Sequence, residues 1–191
     1  NNYQIVAGTG SSASPTFDAN GNMTSDGTNT YAWDAENRLI QITYPGSGNN
    51  SQFAFDPFGR NISIIEKTSG STTSTKQFVW NGVQQSEERD ASSNLVKQFL
   101  ASGQMNGSTK YFYQKDSIGS VRTVTDSSGN VQSDYSYEPY GKTIRLIETI
   151  VSDFGYGQYY FHSRSSLNMP LLRLYSPSLG RFLNRDPIEE G

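Results

Sequence analysis

Side chains able to do chemistry are few in this 191-residue sequence, and their spacing restricts what they can do. His162 is the only histidine, and there is no cysteine. Disulfides, thiolate metal sites and cysteine nucleophiles are therefore excluded, and zinc would find no second imidazole or thiolate. Serines are plentiful, so a Ser-His-acid arrangement can be drawn, but the Gly-x-Ser-x-Gly elbow that exposes such a nucleophile is missing. His162 follows Tyr159-Tyr160-Phe161 and reads as a polar residue at a strand end. Glu87-Glu88-Arg89-Asp90 reads as a solvated charge cluster beside a turn. Asp186 precedes Pro187, the setting of a turn residue or strand cap. Carboxylate chemistry at Asp186 would need a second carboxyl group close enough to shift both pKa values. Glu189 and Glu190 read as solvated, and Arg181 and Arg185 as ordinary surface cations. No cofactor and no metal is expected.

The elements that would position these groups come from one recurring pattern. An aromatic-x-aromatic triplet is followed by an acid, a turn residue, and Gly or Asn. It reads Tyr31-Ala32-Trp33-Asp34-Ala35-Glu36-Asn37-Arg38, then Phe53-Ala54-Phe55-Asp56-Pro57-Phe58-Gly59-Arg60, then Tyr135-Ser136-Tyr137-Glu138-Pro139-Tyr140-Gly141-Lys142. Tyr175-Ser176-Pro177-Ser178-Leu179-Gly180-Arg181-Phe182 is a looser copy. Residues two apart in a strand share a face, so each triplet puts two rings on one side of a sheet. Asp at the first position of a turn, Pro at the second and Gly at the fourth favour a type I turn, as in Asp56-Pro57-Phe58-Gly59. Asp18 to Gly21, Asp116 to Gly119 and Asp126 to Gly129 meet two of these preferences. The unit is a β-hairpin.

Triplets begin at Tyr31, Phe53, Phe78 (with Trp80), Tyr111 (with Tyr113), Tyr135 and Tyr159, at spacings of 22, 25, 33, 24 and 24 residues. A unit of this length is two strands and two connections, and neighbouring units should pair edge to edge into one long sheet. The 33-residue gap implies a longer connection near Ala101 to Gly107. Tyr3 to Val6 and Phe17 to Thr24 fit degenerate units, and Thr68 to Thr75 a polar hairpin tip. Lys142 to Val151 is the one segment with a helical reading, and its Thr and Ile content fits a strand equally. Twelve Tyr, ten Phe and two Trp should supply much of the apolar burial, with many Tyr hydroxyls needing partners. A net charge of −3 with no basic stripe gives nucleic-acid binding little support. No apolar run is long enough to span a membrane.

Two segments resemble RHS/YD-repeat proteins. Tyr111 to Tyr140 is similar to their repeat module through Gly119-Ser120-Val121-Arg122 and Asp126-Ser127-Ser128-Gly129-Asn130-Val131. Ser165 to Asn168, Arg173 to Pro177 and Leu179-Gly180-Arg181-Phe182-Leu183-Asn184-Arg185-Asp186-Pro187-Ile188 resemble the RHS-associated core segment. The resemblance implies an all-β strip that spirals into a hollow shell, with repeats over 1–158 and the start of the core segment over 159–191. In bacterial relatives such a shell encloses a toxic C-terminal polypeptide, and related repeats occur in insecticidal toxin complexes and teneurins. In many members the core segment is an aspartyl protease that releases the toxin, which assigns Asp186 and Arg185 to catalysis. Where many members have Asp-Pro-x-Gly, this chain has Asp186-Pro187-Ile188-Glu189. A cleavage site and a catalytic partner are expected downstream, so this stretch alone is not expected to cleave itself.

The leading expectation is a structural wall that encloses and presents a cargo, secreted or at a bacterial surface. Its cavity-facing positions should be polar and small. Part of a self-cleaving protease is the enzyme alternative. The third reading is a module that pairs with its parent chain or other copies through open β-edges, or binds carbohydrate through exposed rings.

Overall fold

The computed structural model describes residues 14–186. The Tyr3 to Val6 unit and the residues from Pro187 onward lie outside the described residues. The described chain is all-β apart from one 3-10 turn at Tyr156–Gln158. Fourteen strands run in sequence: β1 (Thr16–Phe17), β2 (Met23–Ser25), β3 (Thr30–Trp33), β4 (Leu39–Thr43), β5 (Asn50–Phe55), β6 (Asn61–Thr68), β7 (Ser71–Asn81), β8 (Gln84–Arg89), β9 (Leu95–Leu100), β10 (Gly103–Asn106), β11 (Thr109–Lys115), β12 (Val121–Asp126), β13 (Val131–Tyr137) and β14 (Thr143–Glu148). Each pairs with the next, giving one open sheet in strict chain order. The pairs are antiparallel, and β1 and β14 are its terminal strands. A second sheet follows: β15 (Tyr160–His162), β16 (Leu167–Met169), β17 (Tyr175–Ser176) and β18 (Arg181–Phe182).

The turns form as their residues dictate. At Asp56 the Gly59 N–H donates to the Asp56 carbonyl at 3.0 Å, and the Asp56 N–H to the Arg60 carbonyl at 3.0 Å. One carboxylate oxygen also accepts the N–H groups of Phe58 and Arg60. The fourth residue takes positive φ, 77° at Gly59, the bulged type I hairpin. The same backbone pair recurs from Asp34, Asp90, Asp116, Asp126 and Glu138. Asn37 and Ser93 hold the positive-φ position where Gly is absent. Arg38 and Arg60 add a second layer. Each pairs with the Asp of its own turn, then reaches the next turn on the same rim: Arg38 to the Asp56 carbonyl at 3.3 Å, Arg60 to the Gly82 carbonyl at 2.8 Å.

The two rings of a triplet have different tasks. The first is buried in four triplets, at Tyr31, Phe53, Phe78 and Tyr135, all under 8% exposed, and is half-buried at Tyr111. In three triplets the second ring bonds the main chain at the start of the preceding strand, while Tyr113 donates to the Gln104 side chain. Trp33 donates to the Met23 carbonyl at 2.7 Å, Trp80 to Asn61 at 2.7 Å, and Tyr137 to Val121 at 2.6 Å. An amphipathic ring suits this place because its body packs while its tip satisfies a carbonyl. Tyr31, Tyr44 and Tyr175 hydroxyls also find partners.

Two local expectations are revised and one open alternative is decided. The gap between Phe78 and Tyr111 holds no long connection; Ala101 to Gly107 contains strand β10, and β9 and β10 make a further hairpin. Phe99, a lone ring on β9, is buried where a triplet ring would stand. The Tyr159 triplet is out of phase, because β15 buries Tyr160 and His162 while Phe161 is half-buried. Lys142 to Val151 resolves as a strand over its greater part.

The small sheet lies on the ring-bearing face of the large one. Tyr160, Leu167, Leu174 and Leu183 share a core with Met23, Tyr31, Leu39, Ile42, Phe53, Ile64 and Phe78. Val121, Val124 and Tyr135 form a smaller cluster, and Phe154 packs against both.

Candidate functional site

Polar chemistry concentrates in the seam between the two sheets. Glu66, on β6, alternates with Ile64 and so points at the small sheet. One Glu66 oxygen accepts from His162 Nε2 at 2.7 Å. The other accepts from Ser51 Oγ at 2.7 Å and Arg164 Nη1 at 2.6 Å. The other ring nitrogen, Nδ1, lies 2.6 Å from Ser165 Oγ. Arg164 also donates to the carbonyls of Asn50 (3.2 Å) and Lys67 (2.9 Å), and stacks over Tyr44. Burial opposes the Glu66 charge, but hydrogen bonds from His162, Ser51 and Arg164 outweigh it and hold the carboxyl down to about 2. The Tyr44 phenol is pushed up to about 12, chiefly by burial.

The contacts are those of a serine–histidine–acid relay. Ser165, however, bonds the ring from within the β15–β16 turn, and Glu66 spends one oxygen on His162 and the other on Ser51 and Arg164. The arrangement is a clamp between sheets, and the serine orients the ring.

A second node lies on the same face. Lys76 Nζ approaches Glu88 at 3.1 Å, Asp153 at 3.6 Å and the Tyr160 hydroxyl at 3.1 Å. Lys97 pairs with the other Asp153 oxygen at 2.5 Å. Burial disfavours the Lys76 ammonium, but Tyr160, Asp153 and Glu88 offset this and raise its pKa. Burial raises the Tyr160 phenol. Glu88 corrects the solvated reading of its cluster, since it is buried against Lys76.

Asp186 is exposed and accepts from Arg173 Nη1 at 2.7 Å. Arg185 is exposed, and its N–H points at Asn22 Oδ1 at 3.4 Å. Arg181 lies over Phe17. His162 ends β15 as expected and is buried. Glu66, Lys76, Lys97, Asp153 and Arg164 were not singled out by sequence. For Glu66 and Lys76 a signal existed: each stands two residues from an inward apolar residue, Ile64 and Phe78, and period two places it on the same face. Among the described residues no group of three or more His, Cys, Asp or Glu is placed to hold a metal, and no helix is long and apolar enough to cross a membrane.

No protein-family model matches the chain. It is 32% identical over 180 residues to the tRNA3(Ser)-specific nuclease WapA of Bacillus spizizenii, and 31% to the tRNA nuclease WapA of Bacillus subtilis. Each match covers 90% of this chain and 8% of the relative. It is 26% identical to the double-stranded DNA deaminase toxin A of Burkholderia cenocepacia, over 84% of this chain and 14% of that protein. Among solved structures, a TcdB2–TccC3 crystal structure matches with a TM-score of 0.70 at 18% identity, covering 90% of this chain and 10% of that one. The Photorhabdus luminescens Tc holotoxin pore matches with a TM-score of 0.71 at 18% identity, covering 90% of this chain and 9% of that one. The chain thus shares its fold with part of Tc toxin assemblies and spans a small fraction of the proteins it matches.

Proposed function

We propose that this chain is a stretch of RHS/YD-repeat wall from a bacterial polymorphic toxin, secreted or surface-displayed, whose task is to enclose and present a C-terminal cargo. The observation that carries the reading is the sheet itself: fourteen strands joined in chain order, each unit hydrogen-bonded to the next. Neighbouring strands twist relative to one another, so side-by-side addition bends the strip. The relatives add support. Their names assign different activities, a tRNA nuclease and a DNA deaminase, to proteins that share this segment. A segment common to different chemistries is a carrier rather than the catalyst. The division at 158/159, with the last residues opening the core segment, is part of this proposal.

The test uses the full-length parent with a protease-sensitive reporter placed downstream of Gly191. A wall predicts that the reporter resists trypsin while the sheet is folded and is cut once it is unfolded. Digestion at the rate of a free peptide in the folded protein would remove the reading.

The second reading, in which Asp186 and Arg185 belong to a self-cleaving aspartyl site completed by the rest of the parent, is supported by the resemblance of Leu179 to Ile188 to the RHS-associated core segment. Asp186→Asn in the parent should then leave it uncleaved, as read by intact mass. Continued cleavage would eliminate that role.

A further inference from the structure

The two rims of the large sheet differ in what their turns expose. Every second connection lies on the same rim, because antiparallel strands follow one another in chain order. On the rim of the Asp56 turn, Phe58, Val83, Ile118 and Tyr140 stand within turns. Leu100 flanks the Ala101-Ser102 turn, which lies between those of Val83 and Ile118. These five residues, from five consecutive turns of the rim, are 57–76% exposed and include the four most exposed large apolar residues among those described. Leu172, on the strap that follows β16, stands beside Gly59, yet Phe58 stays open. The first two turns of this rim, 18–21 and 34–37, are polar, and there Asn184 donates to the Asn37 carbonyl at 3.3 Å. The connections of the other rim, 26–29, 45–49, 69–70, 90–94, 107–108 and 126–130, expose no large apolar residue. Leu95 and Val131 are exposed near them, each at the start of a strand.

Turn chemistry does not account for this difference. The Asp56 and Asp126 turns hold the same hydrogen bonds, with Phe58 at the third place of one and Ser128 at the third place of the other. Ile118 and Tyr140 take the third place in two further copies. Apolar residues scattered singly over a surface are ordinary, but a run confined to one rim marks a contact surface. Strand spacing puts successive tips about 10 Å apart, so a partner must bring apolar groups at that interval. Along the rim the order is aromatic, Val, Leu, Ile, aromatic, which reads alike in both directions. A twofold axis sets a patch against its own reverse and needs such an order. Charge permits the approach, since Asp56 pairs with Arg60 at 2.6 Å and Glu138 with Lys142 at 3.4 Å within their own turns. A neighbouring coil of the same strip fits less well, because adjacent coils meet by opposite rims and would set Ser and Gly against Phe58 and Val83. We propose that this rim is the contact surface of a twofold dimer of the chain, in which Phe58 meets Tyr140 of the partner subunit, Val83 the partner's Ile118 and Leu100 the partner's Leu100. The contact uses neither open strand edge, and it does not depend on the wall enclosing a cargo.

The test is sedimentation equilibrium of the 191-residue chain from micromolar to millimolar concentration. The expected result is a monomer–dimer equilibrium that stops at two, as a narrow, transient contact gives. Phe58→Ser, which copies Ser128, should raise the dissociation constant about tenfold. Val83→Asp and Ile118→Lys should each raise it at least as far. An equimolar mixture of those two variants should recover the dimer, because the new carboxylate and the new ammonium face each other at one contact while the native Val83 and Ile118 meet at the other. A chain that stays monomeric to millimolar concentration overturns the proposal, whether or not it binds phosphatidylcholine vesicles. So does a mixture as weak as its folded components, or a dimer that Phe58→Ser leaves unchanged, which would place the contact at an edge such as β14. Should a charged variant not fold, Phe58→Ser decides alone.

Discussion

The two halves of the large sheet use the same turns and differ in what covers them. Asp56 and Asp126 each accept the N–H groups two and four residues on, through the same carboxylate oxygen. From β3 to β7, however, the rings lie beneath the small sheet, and Leu39 and Ile42 are fully buried. Toward the other end the core shrinks to Val121, Val124 and Tyr135, and β14 is exposed along nearly its whole length. The hairpins are thus a local product of turn chemistry, while the stability of a region follows the layer packed on it. Burial of apolar area, about 25 cal/mol per Å², falls mainly on the covered half.

The strongest way to break this contrast is to empty the covered core. Leu39→Ala should cost about 2–5 kcal/mol, read as a loss of stability in urea unfolding. Glu66→Gln comes next, at about 2 kcal/mol, below the 3–5 of fully buried pairs because Arg164 keeps partial contact with water. This change also alters the acid response. The Glu66 carboxyl is lowered from 4.5 to about 2, so its contribution is complete above pH 4.5 and is lost as pH falls through 2. Urea midpoints measured from pH 5 to pH 2 should therefore fall more steeply for the native chain than for Glu66→Gln.

A matched glycine pair sharpens the comparison. Gly59 and Gly129 have φ of 77° and 84°, a conformation that costs an L-residue about 1–2 kcal/mol. A Cβ at Gly129 would meet open space, whereas one at Gly59 would lie 3.2 Å from Leu172. Gly59→Ala should therefore lower the thermal midpoint more than Gly129→Ala, and equal effects would mean that the strap past β16 exerts no pressure on the rim. The smallest effect is expected at Leu146→Ala on exposed β14, within about 0.5 kcal/mol. A large loss there would show that β14 is covered in solution.

What could be read from the residues was what short-range chemistry decides. Asp56-Pro57-Phe58-Gly59 declared its turn, and Tyr31 with Trp33 declared a shared face, because both depend on neighbours only. The hairpin of β9 and β10 was hidden because Phe99 stands without a second ring. The phase of Tyr160 and His162 was missed because three aromatic residues in a row leave period two ambiguous. The clamp was beyond reach for another reason. Glu66 and His162 are 96 residues apart, and their pairing depends on where one sheet settles on another. Asp186 drew attention by resemblance, while the buried charge at Asp153 carried no motif.

The arginines that reach from one turn to the following turn have a bearing on how such chains change length. The β3–β4 and β5–β6 units each carry such a joint to their successor, so a whole hairpin can be gained or lost there with the later turns left on the same margin. Removal of a single strand would instead transfer all later turns to the opposite margin, where no arginine meets its carbonyl. Growth by duplication is therefore tolerated only in even steps, and natural variants of such a strip should differ by pairs of strands.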